Sequence, residues 1–337
     1  MTFNFPDIPQ SKIFSNDDLT PETRALDNYL KNKKFSDAEE KTIQECISFY
    51  KKTFPYLKAL PLAQFNDEDA QKVWAYLKNV FNYKIVVQND GNFNVIYRVT
   101  TVLDKFLCKG KVRNPKWIYN PPLIANQERG IYNRCNSPNG TAFYAAFYEN
   151  VALRESKPKK NDIIILTEWK NKTGAPFITY PIGNSTITNN IGNTKATNAF
   201  EKSMENHHPL FKEHFKVVLE FLACEFVKED EVNSDKKFEY LYSAFFSEHI
   251  LKENNPKDPT SNIDFIIYPS VAYKHFEDNI CLPERTLYRL TPIYLREYKV
   301  LETHYDKPLT LDEPPVDLEL IREATWITDD DIIWDDE

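Results

Sequence analysis

Arg134-Cys135-Asn136-Ser137-Pro138-Asn139-Gly140-Thr141-Ala142-Phe143-Tyr144-Ala145-Ala146, followed closely by Val151-Ala152-Leu153-Arg154-Glu155-Ser156, sets a turn, a strand and a helix next to one another. Pro138 and Gly140 mark the turn, and the apolar run after it contains Tyr144 and reads as a strand. The second piece reads as a short helix bearing Glu155.

Working outward, runs rich in β-branched and aromatic residues recur at Val95 to Val99, Phe143 to Phe147, Ile163 to Thr167 and Phe265 to Tyr268, and over Leu287 to Val300, where Pro292 interrupts. These are strands of a mixed sheet. Residues 208 to 228 set Phe211, Phe215, Val218, Phe221, Leu222 and Phe226 on one face of a long helix, and residues 235 to 253 do so with Phe238, Leu241, Phe245 and Ile250. The expected fold class is α+β, helices packed on a sheet.

The N-terminal region, 1–92, reads as helical after an opening rich in Pro, Asn and Asp that reads as disordered. Ser36 and Glu39 form a capping-box pattern ahead of Ile43, Cys46, Ile47 and Tyr50, and a second helix starts near Asp67 with Val73, Trp74, Leu77, Val80 and Phe81 as its stripe. Residues 93–317 form the sheet domain. Within it, residues 181 to 199 are mostly Asn, Thr, Gly and Ser and read as a mobile loop, either a lid or an insertion without a role. Residues 318–337 read as an acidic tail whose Trp326 and Trp334 imply that it docks on its own domain or meets a partner.

Several classes of function are excluded. The net charge of -8 argues against a protein that grips a nucleic-acid backbone. No apolar stretch approaches the roughly 20 residues of a membrane helix and no signal peptide is present, so the expected location is the cytoplasm. Five scattered cysteines suggest neither a disulfide framework nor a zinc site. With only 7 glycines and no G-x-G-x-x-G or P-loop pattern, a Rossmann site or ATPase is not expected. His207, His208 and His214 lack the surrounding ligands of a metal site and read as capping or solvating a helix, so no metal is expected.

Two further segments place polar groups in apolar strands. Arg98 lies inside Ile96-Tyr97-Arg98-Val99 and needs an anionic partner, either a protein carboxylate or a bound phosphate. Ile266-Ile267-Tyr268-Pro269-Ser270-Val271 ends a buried strand in a hydroxyl, and Asn279 follows in Asp278-Asn279-Ile280-Cys281-Leu282-Pro283. Taken in order, Y-R, R-x-N-x-P-x-G-x-x-x-Y, A-x-x-E, Y-P-S-V and N-I-x-L-P resemble the RES domain, a family named for its Arg, Glu and Ser, over roughly residues 94 to 300.

The resemblance implies a fold similar to the ADP-ribosyltransferase catalytic core and an activity on NAD+, as substrate and not as cofactor, often as the toxin of a bacterial toxin and antitoxin pair. It assigns Arg98 and Arg134 to the pyrophosphate, with Asn136 in the same motif, and Tyr144 to the nicotinamide or its ribose. Glu155 becomes the catalytic carboxylate, Ser270 completes the polar wall, and Asn279 supports Ser270 or a ribose hydroxyl. The expected activity is that of an NAD+ glycohydrolase or phosphorylase. The alternatives are an ADP-ribosyltransferase acting on a protein or nucleic acid, or a non-enzymatic interaction protein on the same scaffold. The chain departs from the family at Tyr240-Leu241-Tyr242-Ser243-Ala244, where a Thr-Gln or Ser-containing pair is common, and in a longer connection from Asn254 to Asn262.

Overall fold

In the computed structural model, Ser36 Oγ accepts from the Glu39 amide at 3.4 Å while the Glu39 carboxylate accepts from the Ser36 amide at 2.8 Å. Amides that a helix start leaves without partners are thereby satisfied, and α1 runs Asp37–Lys58. Asn66 and Asp69 build the same device ahead of α2, Asp67–Val80. The structure describes residues 1–8, 35–81, 89–91, 93–119, 123–183, 195–205, 208–228, 237–251, 262–274, 277–307, 311–328 and 330–336.

Residues 1–8 are not the disordered opening expected. The Met1 ammonium meets Asp69 at 2.6 Å, Phe5 stacks on Tyr76 with ring centroids 4.2 Å apart, and the Tyr76 hydroxyl donates to the Pro6 carbonyl. A terminus tied by a charge pair and an aromatic stack stays put. The rest of that opening, 9–34, lies outside the described residues.

The remaining helices are α3 (Leu123–Arg129), α4 (Glu149–Ser156), α5 (Lys195–Met204), α6 (Pro209–Phe226) and α7 (Leu241–Leu251). The main sheet contains β1 (Asn89–Gly91), β2 (Val95–Thr101), β5 (Phe143–Ala146), β6 (Ile163–Asn171), β7 (Phe177–Pro181), β8 (Phe265–Pro269), β9 (Asp278–Leu282), β10 (Leu290–Thr303) and β11 (Val316–Ala324). Two small hairpins, β3 (Leu107–Cys108) with β4 (Lys111–Val112) and β12 (Trp326–Ile327) with β13 (Ile332–Ile333), complete the set. The strand order is β1-β7-β8-β9-β5-β2-β6-β10-β11, with β7 and β8 parallel and the other pairs antiparallel. The chain is therefore α+β with a large mixed sheet, as its patterning predicts.

The sheet is covered on both faces. On one, α1, α2, α6 and α7 share a core with Tyr180, Ile266, Tyr268 and Cys281, so the helical N-terminal region packs on the sheet domain. On the other, Ile96, Phe143, Trp169, Phe265, Ile267, Ile280 and Leu295 form a second core. Strands β7, β8 and β9 are buried at every position, as strands sandwiched between two layers are, and this erases the alternation that marks a half-buried strand.

Three expectations are corrected. The stretch 181 to 199 is not one loop: Pro181 closes β7, 184–194 lie outside the described residues, and α5 begins at Lys195 because Asp278 Oδ2 accepts from the Ala196 amide at 2.9 Å. Leu287 belongs to a 3-10 turn, Glu284–Arg289, and Pro292 sits inside β10 at a register shift that absorbs its missing N–H. The boundary at 318 falls inside β11, and the Trp-bearing end docks on its own domain: Trp334 is buried, with Nε1 donating to the Val112 carbonyl at 2.8 Å and the Arg322 guanidinium over its ring. Asn254 to Ser261 of the long connection lie outside the described residues. No helix among the described residues is long and apolar enough to cross a membrane.

Candidate active site

Strands β2 and β5 meet at one register position, Tyr97 with Ala146, whereas β2 pairs with β6 along its whole length and β5 pairs with β9 from Phe143 to Ala146. The sheet opens at this joint. A small open cavity of about 190 Å3 lies at the gap, with Tyr97, Arg98, Tyr144, Glu155, Tyr268 and Asn279 among its lining.

Helix α4 lies over β2 and β5. Its Val151 and Leu153 are buried, Arg154 anchors it by donating to the Tyr305 carbonyl at 2.5 Å, and Lys157 ends it in the left-handed region at φ 46 with its amide on the Leu153 carbonyl. Glu155 therefore leaves the last turn at a fixed height above the sheet. Its Oε1 accepts from Ser270 Oγ at 2.5 Å, Asn279 Nδ2 at 2.7 Å and the Ala272 amide at 3.4 Å. Its Oε2 makes no hydrogen bond among the described residues and is not buried. One oxygen is thus saturated and the other presented, which is how a carboxylate is held in one orientation while keeping its charge available.

Arg98 is 8 % exposed and has no carboxylate partner among the described residues. Nη1 donates to the Tyr144 carbonyl at 2.9 Å, the guanidinium lies 4.7 Å from the Phe143 ring centre, and Nε has no partner. Burial pulls its pKa down to about 10. Of the two partners open to Arg98 on sequence, the protein carboxylate is absent among the described residues; Arg98 is among the residues that line the cavity, and its guanidinium lies against Phe143 of the second core.

Tyr144 is locked through its hydroxyl, which donates to Asn136 Oδ1 and accepts from the Cys135 amide, both at 2.8 Å. Burial raises the Tyr144 and Tyr268 phenols well above their ordinary range, so both are neutral.

The other expected residues stand behind the cavity. Arg134 does not line it: Nη2 donates to Tyr240 Oη at 2.8 Å and to the Lys228 carbonyl at 2.9 Å, with the guanidinium 5.0 Å from the Tyr240 ring centre. Tyr240 thus holds Arg134 by a hydrogen bond and by its ring face. Ser243 Oγ only returns to the Tyr240 carbonyl. Ser270 is fully buried and touches Glu155 instead of forming a wall. Asn136 is buried and holds Tyr144.

Tyr97 and Tyr268 line the cavity although the sequence singled out only their neighbours Arg98 and Ser270. Asn126 and Glu248 brace the Cys135–Gly140 turn; nothing local in the sequence marks Asn126, and the one signal for Glu248 is that it is the single acid of α7. Among the described residues no group of His, Cys, Asp and Glu is arranged to hold a metal ion. His208 caps α6 through Nδ1, whereas His214 is neither cap nor solvated: it lies buried beside Tyr50 and Phe215, and burial lowers its pKa to about 4. His207 lies outside the described residues. Compared with known proteins, the chain matches no family, no curated protein and no solved structure.

Proposed function

We propose that this chain cleaves the nicotinamide–ribose bond of NAD+, as a glycohydrolase or phosphorylase of RES type with an ADP-ribosyltransferase-like fold. The observation that carries the reading is Glu155: a carboxylate with one oxygen fixed by three donors and the other free, in a cavity that also holds an arginine without a carboxylate partner.

The glycosidic nitrogen of NAD+ is a pyridinium. When the C1′–N bond breaks, its electron pair moves to the ring, nicotinamide departs neutral, and positive charge grows on C1′ and the ribose ring oxygen. A fixed carboxylate facing that charge lowers the barrier because its orientation is set before the reaction begins. Water then bonds to C1′ and loses its proton through Glu155 to solvent, or a phosphate dianion bonds to C1′ with no proton to shed. Arg98 takes the pyrophosphate charge, and the neutral rings of Tyr97, Tyr144 and Tyr268 pack on base and sugar. Arg134, turned to Tyr240, shapes the wall behind Tyr144. In this reading the protein works in the bacterial cytoplasm with NAD+ as substrate and an antitoxin protein as partner.

The test is free nicotinamide from NAD+ and purified protein, with and without phosphate. Glu155→Gln keeps the shape and removes the charge, and release is expected to fall by about 100-fold or more. Release by the wild-type chain no greater than by this variant overturns the proposal. If labelled NAD+ leaves its label on a protein or nucleic acid, the acceptor is a macromolecule and the chain is a transferase.

A further inference from the structure

We infer that Glu248, on α7 and away from the cavity, is a positioning residue for NAD+ that acts on Tyr144 through the turn from Cys135 to Gly140; the inference rests on the reading of the site given above. Glu248 Oε1 accepts from the Ser137 amide at 2.7 Å. Ser137 is buried, so without that acceptor its N–H has no water to turn to, and the turn must shift to find one. The same turn carries both groups that hold the Tyr144 hydroxyl, the Cys135 amide and Asn136 Oδ1.

Two further features show that the turn is clamped and not merely touched. The Gly140 carbonyl accepts from Asn126 Nδ2 of α3 at 2.9 Å and from Asn136 Nδ2 at 3.2 Å, so both ends of the turn are closed on each other. A methyl group at Gly140 would collide with Glu248 Oε1, which explains a glycine here although the position lacks a positive φ. No Lys or Arg pairs with Glu248 among the described residues. Its carboxylate is therefore committed to the Ser137 amide.

The chain of contacts runs from Glu248 to Ser137 N, along the turn to Cys135 N and Asn136 Oδ1, and on to the phenol of Tyr144, a residue that lines the cavity. It does not reach Glu155. Loss of Glu248 therefore loosens the binding surface and leaves the carboxylate that does the chemistry in place, so KM moves and kcat does not.

Steady-state nicotinamide release tests this. Glu248→Ala is expected to raise KM for NAD+ about tenfold with kcat within about twofold of wild type, the size set by one buried amide left without an acceptor. Glu248→Gln, whose amide oxygen still accepts from Ser137 N, restores KM to within about twofold. Gly140→Ala, which displaces the carboxylate without removing it, raises KM in the same way, and the double variant is no worse than Glu248→Ala alone, because both changes break one contact. If Glu248→Ala does not fold, Gly140→Ala against Glu248→Gln decides. An unchanged KM, a fall in kcat alone, or additive effects in the double variant overturn the inference while leaving the NAD+ reading intact. A wild-type chain that releases no nicotinamide removes both.

Discussion

Replacing Arg98 by Met separates binding from folding. At an ordinary buried ion pair, deleting one partner costs about 3–5 kcal/mol because the other charge is left alone. Arg98 has no such partner among the described residues. Its pKa is pulled down to about 10 by burial, and at about 1.4 kcal/mol per tenfold change the depression corresponds to roughly 3 kcal/mol by which the charged guanidinium disfavours the folded state. Methionine removes that penalty and fills similar volume. Against it stand the Tyr144 carbonyl, which loses its donor at a cost of about 1–3 kcal/mol, and the contact with Phe143, about 0.5–2 kcal/mol. The terms nearly cancel, so Arg98→Met is expected to melt within a few degrees of wild type while NAD+ affinity, measured by calorimetry, falls about 100-fold. The sign carries a pH signature. A folded-state value below the unfolded one means the penalty is present at every pH below about 10 and fades as pH rises through it, so wild type gains on the variant only in that alkaline range. A melting temperature lower by more than about 6 °C at pH 7, at about 2–4 °C per kcal/mol, would mean that Arg98 is a structural residue and refute the argument.

Three other outcomes follow from named contacts. Ser270→Ala removes one of three donors on Glu155 Oε1 and the acceptor of the Tyr273 amide; kcat for nicotinamide release is expected to fall about tenfold with KM unchanged, and a change in KM alone would contradict the positioning role. Asp278 is buried and its pKa is raised to about 6, so the protonated acid favours folding and stability is lost as pH rises from about 4 through 6. Asp278→Asn, which keeps an oxygen for the Ala196 amide, should melt higher than wild type at pH 7.5 and equal to it near pH 4, and a gain that persists at pH 4 would refute this. Trp334→Ala should cost about 3–5 kcal/mol of stability in denaturant melts, yet leave nicotinamide release per folded molecule unchanged, because its partners Val112 and Arg322 do not line the cavity.

What the sequence discloses depends on how local the cause is. The start of α1 is legible because Ser36 and Glu39 complete each other within one turn, and β2 because its branched residues stand together. The start of α5 is illegible because its cap is Asp278, far along the chain. Strands β7 and β9 escape notice because burial on both faces removes their alternation, and β11 because most of it falls in the stretch from 318 that reads as an acidic tail. At the site, Glu155, Ser270 and Asn279 come from separate stretches and meet in hydrogen bonds, but only coordinates show that Ser270 donates to Glu155 and that Tyr240 has claimed Arg134.

The convergence itself comes from sheet register. Tyr97 of β2 stands opposite Ala146 of β5, Ala146 opposite Asn279 of β9, and Asn279 opposite Tyr268 of β8, so one row across four strands carries three polar or aromatic cavity residues and one small one. Directly opposed residues share a face. Ala146 is the gap in that row: its side chain is too short to fill the space that Tyr97 and Asn279 bracket, and Ala152 of α4 repeats the economy from above. A sheet that pairs β2 with β5 at that single position leaves no ladder to close the gap, and Glu155, one turn beyond Ala152, comes down at its edge. Nothing about Tyr97, Ala146, Asn279 or Tyr268 announces the row in isolation. It exists because β5, the strand of the turn–strand–helix run, is inserted between β9 and β2, and that insertion turns residues from four distant stretches into neighbours.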